Sequence, residues 1–217
     1  MTYSCVLWDV DGTIIDASEG ILNRLGKVLA RYGRPAPTRA ELARWIGPPM
    51  FESFQISAGM TPDEADQAVA LYRRIGKAYG YVKDTRVYPG MAQLLRDTAA
   101  AGIPQATASS KPRAQVLALM RHYQLTPYFS TIVGATPDEK TLAAKADIVA
   151  EALTKLATAG ADTSRPVLVG DRHHDVQGGT TNGVPVIFVQ WGFAGPTESE
   201  GALAVAQNVD ELRQLLR

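Results

Sequence analysis

Short runs of residues that are apolar throughout are the feature of this 217-residue sequence that most limits its fold. A strand with one face in water alternates apolar and polar residues, whereas a strand covered on both faces does not. Runs of the second kind, separated by helical patterns or turn residues, predict a doubly wound α/β core with helices on each side of a parallel sheet. The predicted strands are 5–8, 103–108, 131–133, 167–169 and 184–189.

The alternation of strands and helices is interrupted between about residues 18 and 84. This stretch contains no convincing strand, and two of its segments are typical of capped helix starts: Thr38-Arg39-Ala40-Glu41 and Thr61-Pro62-Asp63-Glu64. An all-helical insert that returns the chain to the same sheet is best explained as a cap domain. The predicted domains are a Rossmann-like catalytic core of residues 1–17 and 85–217 and a helical cap of residues 18–84.

Charge and apolar patterning exclude several classes of protein. The sequence has 22 basic and 22 acidic residues, so it lacks the cationic surplus with which nucleic-acid-binding proteins neutralise phosphates. No stretch approaches the roughly 18 consecutive apolar residues of a membrane span, and the first residues lack the features of a signal peptide. We therefore expect a cytoplasmic protein, a monomer or a homodimer, that binds neither a nucleic-acid polymer nor a membrane.

The first predicted strand ends in Asp9-Val10-Asp11-Gly12-Thr13, a segment with two carboxylates two residues apart. Ligands of open α/β sheets bind at the carboxyl ends of the strands, which is where this segment falls. Repulsion between neighbouring carboxylates favours one ionised and one protonated group unless a cation lies between them. Such a pair can supply a nucleophile and a general acid. The alternative is an ordinary turn at a strand end, because Asp-Gly pairs are common turn formers.

Two further segments add groups that can hold an anion. Ser109-Ser110-Lys111-Pro112 follows the second predicted strand of the core, where a helix is expected to begin and its amides could cradle a phosphate. Serine is also an ordinary helix cap. A helix predicted to begin near Asp138 carries an apolar stripe in which Lys145 takes the place of a hydrophobic residue. Its ammonium group points either into a polar site or past the edge of the core.

The predicted strand 167–169 continues into Gly170-Asp171-Arg172-His173-His174-Asp175. Two carboxylates four residues apart at a strand end suit Mg²⁺, which prefers oxygen ligands. The adjacent histidines also raise the alternative of zinc, but one loop and a single cysteine do not supply its usual ligand set. His173 and His174 are predicted to be solvated loop residues.

These four segments, in this order, resemble the motifs of the haloacid dehalogenase superfamily, and specifically those of its phosphatase branch. The resemblance covers nearly the whole chain. Lys111 and Lys140 compete with Lys145 for the third motif. The corresponding motifs are residues 9–13 for the first, Ser109 for the second, Lys145 for the third and residues 170–175 for the fourth.

The region between the first and second motifs is similar to the helical C1 cap of that superfamily. Arg44-Trp45-Ile46-Gly47-Pro48-Pro49 resembles the cap loop that contacts substrate in phosphoglycolate-phosphatase-like members. Val87-Tyr88-Pro89-Gly90-Met91, where the chain returns to the core, also fits that group. The resemblance therefore implies a small phosphorylated metabolite as substrate, and the residues predicted to bind it are Gly12, Ser110, Arg44 and Trp45.

The resemblance also implies a mechanism. Asp9 would attack phosphorus and form an aspartyl-phosphate, while Asp11 would act as general acid and base. Ser109 and Lys145 would stabilise the phosphoryl group. Mg²⁺ would be held by the Asp9 carboxylate, the backbone carbonyl of Asp11, Asp171 and, directly or through water, Asp175.

Three other activities of the superfamily are weighed against hydrolysis of a phosphate monoester. A phosphomutase of the β-phosphoglucomutase type uses the same core, but the insert contains no histidine, which disfavours it. A phosphonatase would need a Schiff-base lysine early in the cap, and Lys27 is present there. A dehalogenase would lack a carboxylate at the position of Asp11. Hydrolysis is therefore the leading prediction.

Overall fold

The computed structural model describes residues 3–46, 48–137 and 141–217, with only the backbone described for residues 42–44. The strands are β1 (Cys5–Trp8), β2 (Ile15–Asp16), β3 (Arg86–Val87), β4 (Gln105–Thr107), β5 (Ser109–Pro112), β6 (Gly134–Ala135), β7 (Pro166–Gly170), β8 (Val186–Val189) and β9 (Ala204–Ala206). The helices are α1 (Ser18–Arg31), α2 (Met50–Ala58), α3 (Pro62–Tyr79), α4 (Met91–Ala100), α5 (Arg113–His122), α6 (Lys145–Thr158), α7 (His173–Thr181) and α8 (Val209–Leu215). Short 3-10 helices lie at Arg39–Arg44 and Thr126–Tyr128.

The main sheet of the described chain has five parallel strands in the order β4-β1-β7-β8-β9. Residues of β1 alternate between two apolar clusters: Val6 and Trp8 belong to one, and Cys5 and Leu7 belong to the other. The central strand is therefore covered on both faces, as its wholly apolar sequence predicts. The doubly wound α/β fold class is confirmed.

The chain order reverses at β1, which defines where the sheet can bind a ligand. From β1 the sheet continues through β4 on one side and through β7 on the other. Loops that leave the carboxyl ends of β1 and β7 therefore diverge to opposite faces, and a crevice opens between them. Asp9 follows the first of these strands, and Asp171 follows the second.

The segment between β2 and β3 is helical, as predicted. It contains α1, the first 3-10 helix, α2 and α3. The capping box at Thr61 is confirmed, since its hydroxyl accepts from the amide of Glu64 while Glu64 accepts from the amide of Thr61. At Thr38 the predicted box is wrong in detail, because the hydroxyl donates to the Glu41 carboxylate and a 3-10 helix follows. The boundaries of a cap domain at 18 and 84 stay a prediction.

Two predicted elements differ in the structure. Residues 131–133 are not a strand: Thr131 forms an isolated bridge to Ala106, and the following β6 pairs with β5. Helix α6 begins at Lys145, and before it the Leu142 amide donates to the Thr136 hydroxyl over 3.1 Å. Asp138, where that helix was predicted to begin, lies outside the described residues.

The same sheet contains a strand that the apolar runs do not indicate. Strand β9 pairs with β8 at the edge of the sheet, where Val205 is partly exposed. Similarly, Ser109 to Pro112 form β5 rather than the start of a helix, and α5 begins at the next residue. No helix of the described chain is both long and apolar enough to cross a bilayer.

Candidate active site

Three buried aspartates meet at the carboxyl edge of the sheet. Asp9 follows β1, Asp171 follows β7, and Asp175 lies in the first turn of α7. Each offers a carboxylate oxygen, and these oxygens all lie within 4.8 Å of one another. The amide of Asp9 donates to the Val169 carbonyl over 2.9 Å, which fixes the end of β1 against β7.

Lys145 supplies the positive charge next to these carboxylates. Its Nζ lies 2.6 Å from Asp9 Oδ1 and 2.6 Å from Asp175 Oδ1, and it donates to the Ala108 carbonyl over 2.8 Å. Lys145 is the first residue of α6, and it is buried. Its stem passes over Gly178, where an added Cβ would lie only 2.6 Å from Lys145 Cγ.

Burial and mutual repulsion shift the pKa values of these groups. Burial raises the pKa of Asp9 to about 7, and Lys145 only partly opposes that shift. The pKa of Asp171 is raised well above its usual value by burial and by the charges of Asp9 and Asp175. Burial alone would lower the pKa of Lys145, but Asp175 and Asp9 raise it above its usual value. Lys145 is therefore cationic. Its positive charge is not enough to balance the negative charges of the carboxylates around it.

The charge balance at this edge tests whether a divalent cation fits. Arg172 also borders the site, but it is neutralised by Glu198. Among the other described charges, four carboxylates face two ammonium groups, which leaves two negative charges in excess. Oxygen ligands of this kind are those that Mg²⁺ prefers, so the residues fit that ion. The carboxylates are those of Asp9, Asp11, Asp171 and Asp175, and the ammonium groups are those of Lys111 and Lys145.

The Asp171 carboxylate is held by hydrogen bonds and enclosed by glycines, so there is no room for extra side-chain atoms around it. Its Oδ2 accepts from the Phe193 amide over 2.7 Å, and its Oδ1 accepts from the Thr13 hydroxyl over 3.3 Å. A Cβ on either Gly12 or Gly192 would lie 2.1 Å from Asp171 Oδ2. Gly12, predicted to bind substrate, thus packs against Asp171 at a φ of +91°, a backbone conformation that favours glycine.

Asp11 and Ser109 lie beside the aspartate cluster. Asp11 Oδ2 forms an ion pair of 2.8 Å with Lys111 Nζ, whereas Asp11 Oδ1 is buried and has no hydrogen-bond partner among the described residues. The Ser109 hydroxyl is buried and accepts from the Lys111 amide over 3.3 Å, which leaves its own proton free to be donated. Of the lysines considered for the third motif, Lys145 therefore contacts Asp9 and Lys111 contacts Asp11. Lys140 lies outside the described residues.

These groups open into a cleft of about 670 Å³, including its solvent-open mouth. Its floor is polar, and the wall contributed by the helical segment is largely apolar. Trp45, predicted to bind substrate, lies in that wall and packs edge-on against Phe54. Ser110, also predicted to bind substrate, lines the cleft, whereas the side chain of Arg44 lies outside the described structure. Ile46 and Pro48, from the segment that resembles a substrate-contacting loop, also line the cleft. Lining residues that sequence reasoning missed include Ile21, Met50, Tyr72, Gln115, Arg172 and His174.

Arg172 organises the loop between β7 and α7. Its Nε and Nη2 bind the two carboxylate oxygens of Glu198 over 2.6 and 3.1 Å. Burial alone would raise the pKa of Glu198, but the hydrogen bonds from Arg172 and the His173 amide lower it to about 2. Glu198 lies 26 residues further along the chain, so no local motif signals this pair.

The two histidines lie in a helix, so the prediction that they are loop residues is wrong, although the His173 side chain is 41% exposed. Both lie in the first turn of α7, and their ring centroids are 3.8 Å apart with the planes tilted by 40°. His173 Nδ1 lies 3.1 Å from Glu198, and His174 lines the cleft. Burial and the neighbouring His173 lower the pKa of His174 to about 4, so His174 is neutral near pH 7.

The four carboxylates lie at the switch point of a doubly wound parallel sheet, which is where such α/β proteins bind their ligands, and comparison with known proteins identifies the family. The family model of haloacid dehalogenase-like hydrolases matches residues 6–189. The chain belongs to the haloacid dehalogenase-like hydrolase family, and the resemblance to its phosphatases that the four motifs indicate is confirmed.

Similar proteins in this family have different names. The tyrosine-protein kinase PtkA of Mycobacterium tuberculosis is 32% identical over 215 residues, which are 97% of this chain and 72% of PtkA. A 5′-nucleotidase of Pseudomonas aeruginosa is 32% identical over 91% of this chain and 87% of its own length. A crystal structure of a predicted phosphatase from Clostridium acetobutylicum superposes with a TM-score of 0.91 and 31% identity, covering 100% of this chain and 99% of that one.

Proposed function

We propose that this protein is a Mg²⁺-dependent phosphatase that hydrolyses a small phosphate monoester through an aspartyl-phosphate on Asp9. The observation that carries the proposal is the placement of Asp9: it lies at the end of β1, next to Lys145, Asp171 and Asp175, at the base of an open cleft. A nucleophile, counter-charges and a space for the substrate therefore coincide at one position.

Asp9 acts as the nucleophile because its neighbours orient it. Lys145 holds the carboxylate through Oδ1, while Oδ2 has no hydrogen bond within the described structure. One carboxylate oxygen forms a bond to phosphorus, and the ester bond between phosphorus and the leaving oxygen breaks. This divides a slow hydrolysis into two easier steps.

Asp11 donates a proton in the first step and accepts one in the second. It gives a proton to the leaving oxygen, and its carboxylate then takes one from the water that attacks phosphorus and releases Asp9. Lys111 Nζ lies 2.8 Å from Asp11 Oδ2. We place Lys111 on the phosphoryl oxygens in the substrate complex, which leaves the Asp11 carboxyl group open to the leaving oxygen.

The remaining groups stabilise charge on the phosphoryl group. Ser109 donates its hydroxyl proton to a phosphoryl oxygen, and Lys145 keeps the electrostatic repulsion around Asp9 low. The Asp9 carboxylate, the Asp11 carbonyl, Asp171 and Asp175 would hold Mg²⁺. When bound, that ion supplies positive charge that offsets the repulsion between the nucleophile and the phosphoryl oxygens.

The apolar wall of the cleft helps to choose among the candidate substrates. Trp45 and Tyr72 line this wall and offer aromatic surfaces on which a planar group could pack. The 5′-nucleotidase relative supports including nucleoside monophosphates among the candidates, together with phosphoglycolate and sugar phosphates. The helical segment is proposed to close over the substrate as a cap, which excludes water during transfer.

Among the rival activities, the phosphonatase depends on Lys27, and the position of Lys27 argues against it. It would need Lys27 to form a Schiff base in the active site, but Lys27 lies over the Tyr79 ring and borders a different cavity from the one that holds Asp9. The phosphomutase shares the same core chemistry and differs only in the acceptor of the phosphoryl group. Hydrolysis remains the function that the site supports best.

A panel of phosphate esters tests the proposal. The protein is incubated with Mg²⁺ and each candidate ester, and released inorganic phosphate is measured, with Asp9→Asn as the matched inactive control. We expect release from at least one ester by the natural protein and none by the variant. Transfer to a sugar would indicate the mutase, and transfer to a protein tyrosine would indicate a kinase like the PtkA relative. Release that persists in Asp9→Asn would contradict the proposed nucleophile.

A further inference from the structure

A second cavity lies on the helical segment, away from the aspartate cluster. Its volume is about 620 Å³, including its open mouth, and it is bordered by α1, the end of α3 and residues 80–84. The Gly20 amide donates to the Asp84 carbonyl over 3.2 Å, so α1 touches the returning chain directly. The cavity therefore lies where the helical segment is joined to the sheet.

Arg24 forms the inner wall of this cavity and is only 7% exposed. Its Nε donates to the Gly20 carbonyl, and its guanidinium lies 4.7 Å from the centre of the Tyr72 ring. Within the described residues, its two terminal amino groups form no hydrogen bond and no ion pair. The residue as a whole is buried, but its terminal amino groups are not fully enclosed by protein, so Arg24 has two donor groups available for an acceptor that enters the cavity.

Two lysines complete the cationic lining. Lys27 Nζ lies 3.4 Å from the centre of the Tyr79 ring, and Lys83 Nζ lies 5.1 Å from it. The ring thus holds both ammonium groups at the cavity mouth, although no carboxylate of the described residues pairs with either. Asp84 is the acidic residue of the lining, and it accepts from Asn23 over 3.1 Å.

Three cations against one carboxylate leave an excess of two positive charges around an open cavity. Like charges in one place repel, and that repulsion is relieved when an anion binds between them. We propose that this cavity is a second anion-binding site that takes a phosphate dianion, either inorganic phosphate or the phosphate group of a small metabolite. Arg24 is its buried anchor, whereas Lys27 and Lys83 are its outer contacts. The site does not depend on the activity proposed above.

Binding at this site is expected to stabilise the helical segment. An occupant would bridge α1 to the chain at Lys83, which joins the two ends of that segment. Arg24 lies over Tyr72, and Tyr72 lines the active-site cleft, so the anchor residue also contacts that wall. A phosphate that occupies the cavity should therefore raise the melting temperature of the protein.

Counting bound phosphate tests the proposal. Radiolabelled inorganic phosphate is equilibrated by dialysis against the natural protein, Lys27→Gln/Lys83→Gln and the control Lys77→Gln/Lys155→Gln. All four lysines are exposed, so both double variants should fold, which circular dichroism checks. We expect the Lys27/Lys83 variant to bind one phosphate fewer per chain than the other two proteins. Equal numbers in all three proteins would overturn the proposal, whether or not the active site also binds phosphate.

A second arm identifies the source of the phosphate group. In an Asp9→Asn background, which prevents turnover under the proposed mechanism, inorganic phosphate and glycerol 3-phosphate are compared as ligands. Tighter lysine-dependent binding of the ester indicates a metabolite, and tighter binding of inorganic phosphate indicates the free ion. If neither ligand raises the melting temperature more in the presence of Lys27 and Lys83 than in their absence, the site does not exist.

Discussion

Lys145 is a side chain for which we expect a role in both the stability and the proposed chemistry of this protein. It contacts Asp9 and Asp175 together, and burial keeps water from screening the three charges. A buried charge that loses its partner is strongly destabilising, whereas an exposed pair contributes little. Under the proposed mechanism, the same ammonium group therefore both stabilises the site and orients Asp9 as the nucleophile.

The variant Lys145→Met tests this dual role. We expect the free energy of unfolding without Mg²⁺ to fall by about 3 kcal/mol and turnover to fall by about 10³-fold. Urea unfolding and phosphate release measure the two effects. Lys155→Met is the matched control, because Lys155 lies on the same helix in an exposed pair with Glu151. A similar loss in both variants would contradict the role of Lys145.

The role of Asp11 as general acid predicts a dependence on the leaving group. In Asp11→Asn we expect turnover of a sugar phosphate to fall by about 10²–10⁴-fold. The loss should be much smaller for p-nitrophenyl phosphate, whose leaving group needs little protonation. Steady-state kinetics with both esters provides the comparison, and an equal loss for both would show that Asp11 does not donate the proton.

At the scale of elements, the loop after β8 packs against the Asp171 carboxylate and holds it in position. In Gly192→Ala the added Cβ would displace that carboxylate, so we expect the Mg²⁺ concentration for half-maximal activity to rise about tenfold or more. Gly195→Ala, on the same loop, places its Cβ at an ordinary contact of 3.5 Å from Glu198 and should leave the titration unchanged. Identical Mg²⁺ titrations for both variants would contradict the assignment of Asp171 as a ligand.

The Arg172–Glu198 pair joins the start of α7 to the loop after β8, and it predicts a pH dependence of stability. Because folding lowers the pKa of Glu198 from 4.5 to about 2, its contribution is complete above about pH 4.5 and is lost as the pH falls towards 2. We expect Glu198→Gln to lower the free energy of unfolding at pH 7 by about 1–3 kcal/mol.

Denaturant unfolding across this pH range checks the prediction, with Glu200→Gln as the control on a neighbouring exposed carboxylate. The difference between the natural protein and Glu198→Gln should shrink between pH 4.5 and 2. A difference that stays constant with pH would show that ionisation of Glu198 does not contribute to stability.

At the scale of the whole molecule, the parts that could be predicted are those that depend on short-range patterns. Apolar runs give the covered strands, and the carboxyl-end rule then places Asp9 and Asp171 at one edge of the sheet. Strands β2, β3 and β9 have two or three residues each, so they are too short to show a period.

Other features depend on contacts between distant parts of the chain. The sequence assigned Lys145 to the third motif, but it could not show that Lys145 contacts Asp9 or that Lys111 contacts Asp11, because these contacts depend on how α6 and β5 pack beside the sheet. Glu198 and Arg24 carry no local motif at all. Their importance can be recognised only in the folded structure. There Glu198 is paired with Arg172, and the terminal amino groups of Arg24 have no partner among the described residues.

The most direct test of the whole account is to find where phosphate is attached during turnover. The natural protein is mixed with a ³²P-labelled substrate and Mg²⁺, quenched with acid within the first turnover, digested and analysed by mass spectrometry. The account predicts an alkali-labile, hydroxylamine-sensitive phosphate on Asp9 that survives the cold acid quench and is absent from Asp9→Asn. Label on another residue, or phosphate release without any labelled protein, would contradict it.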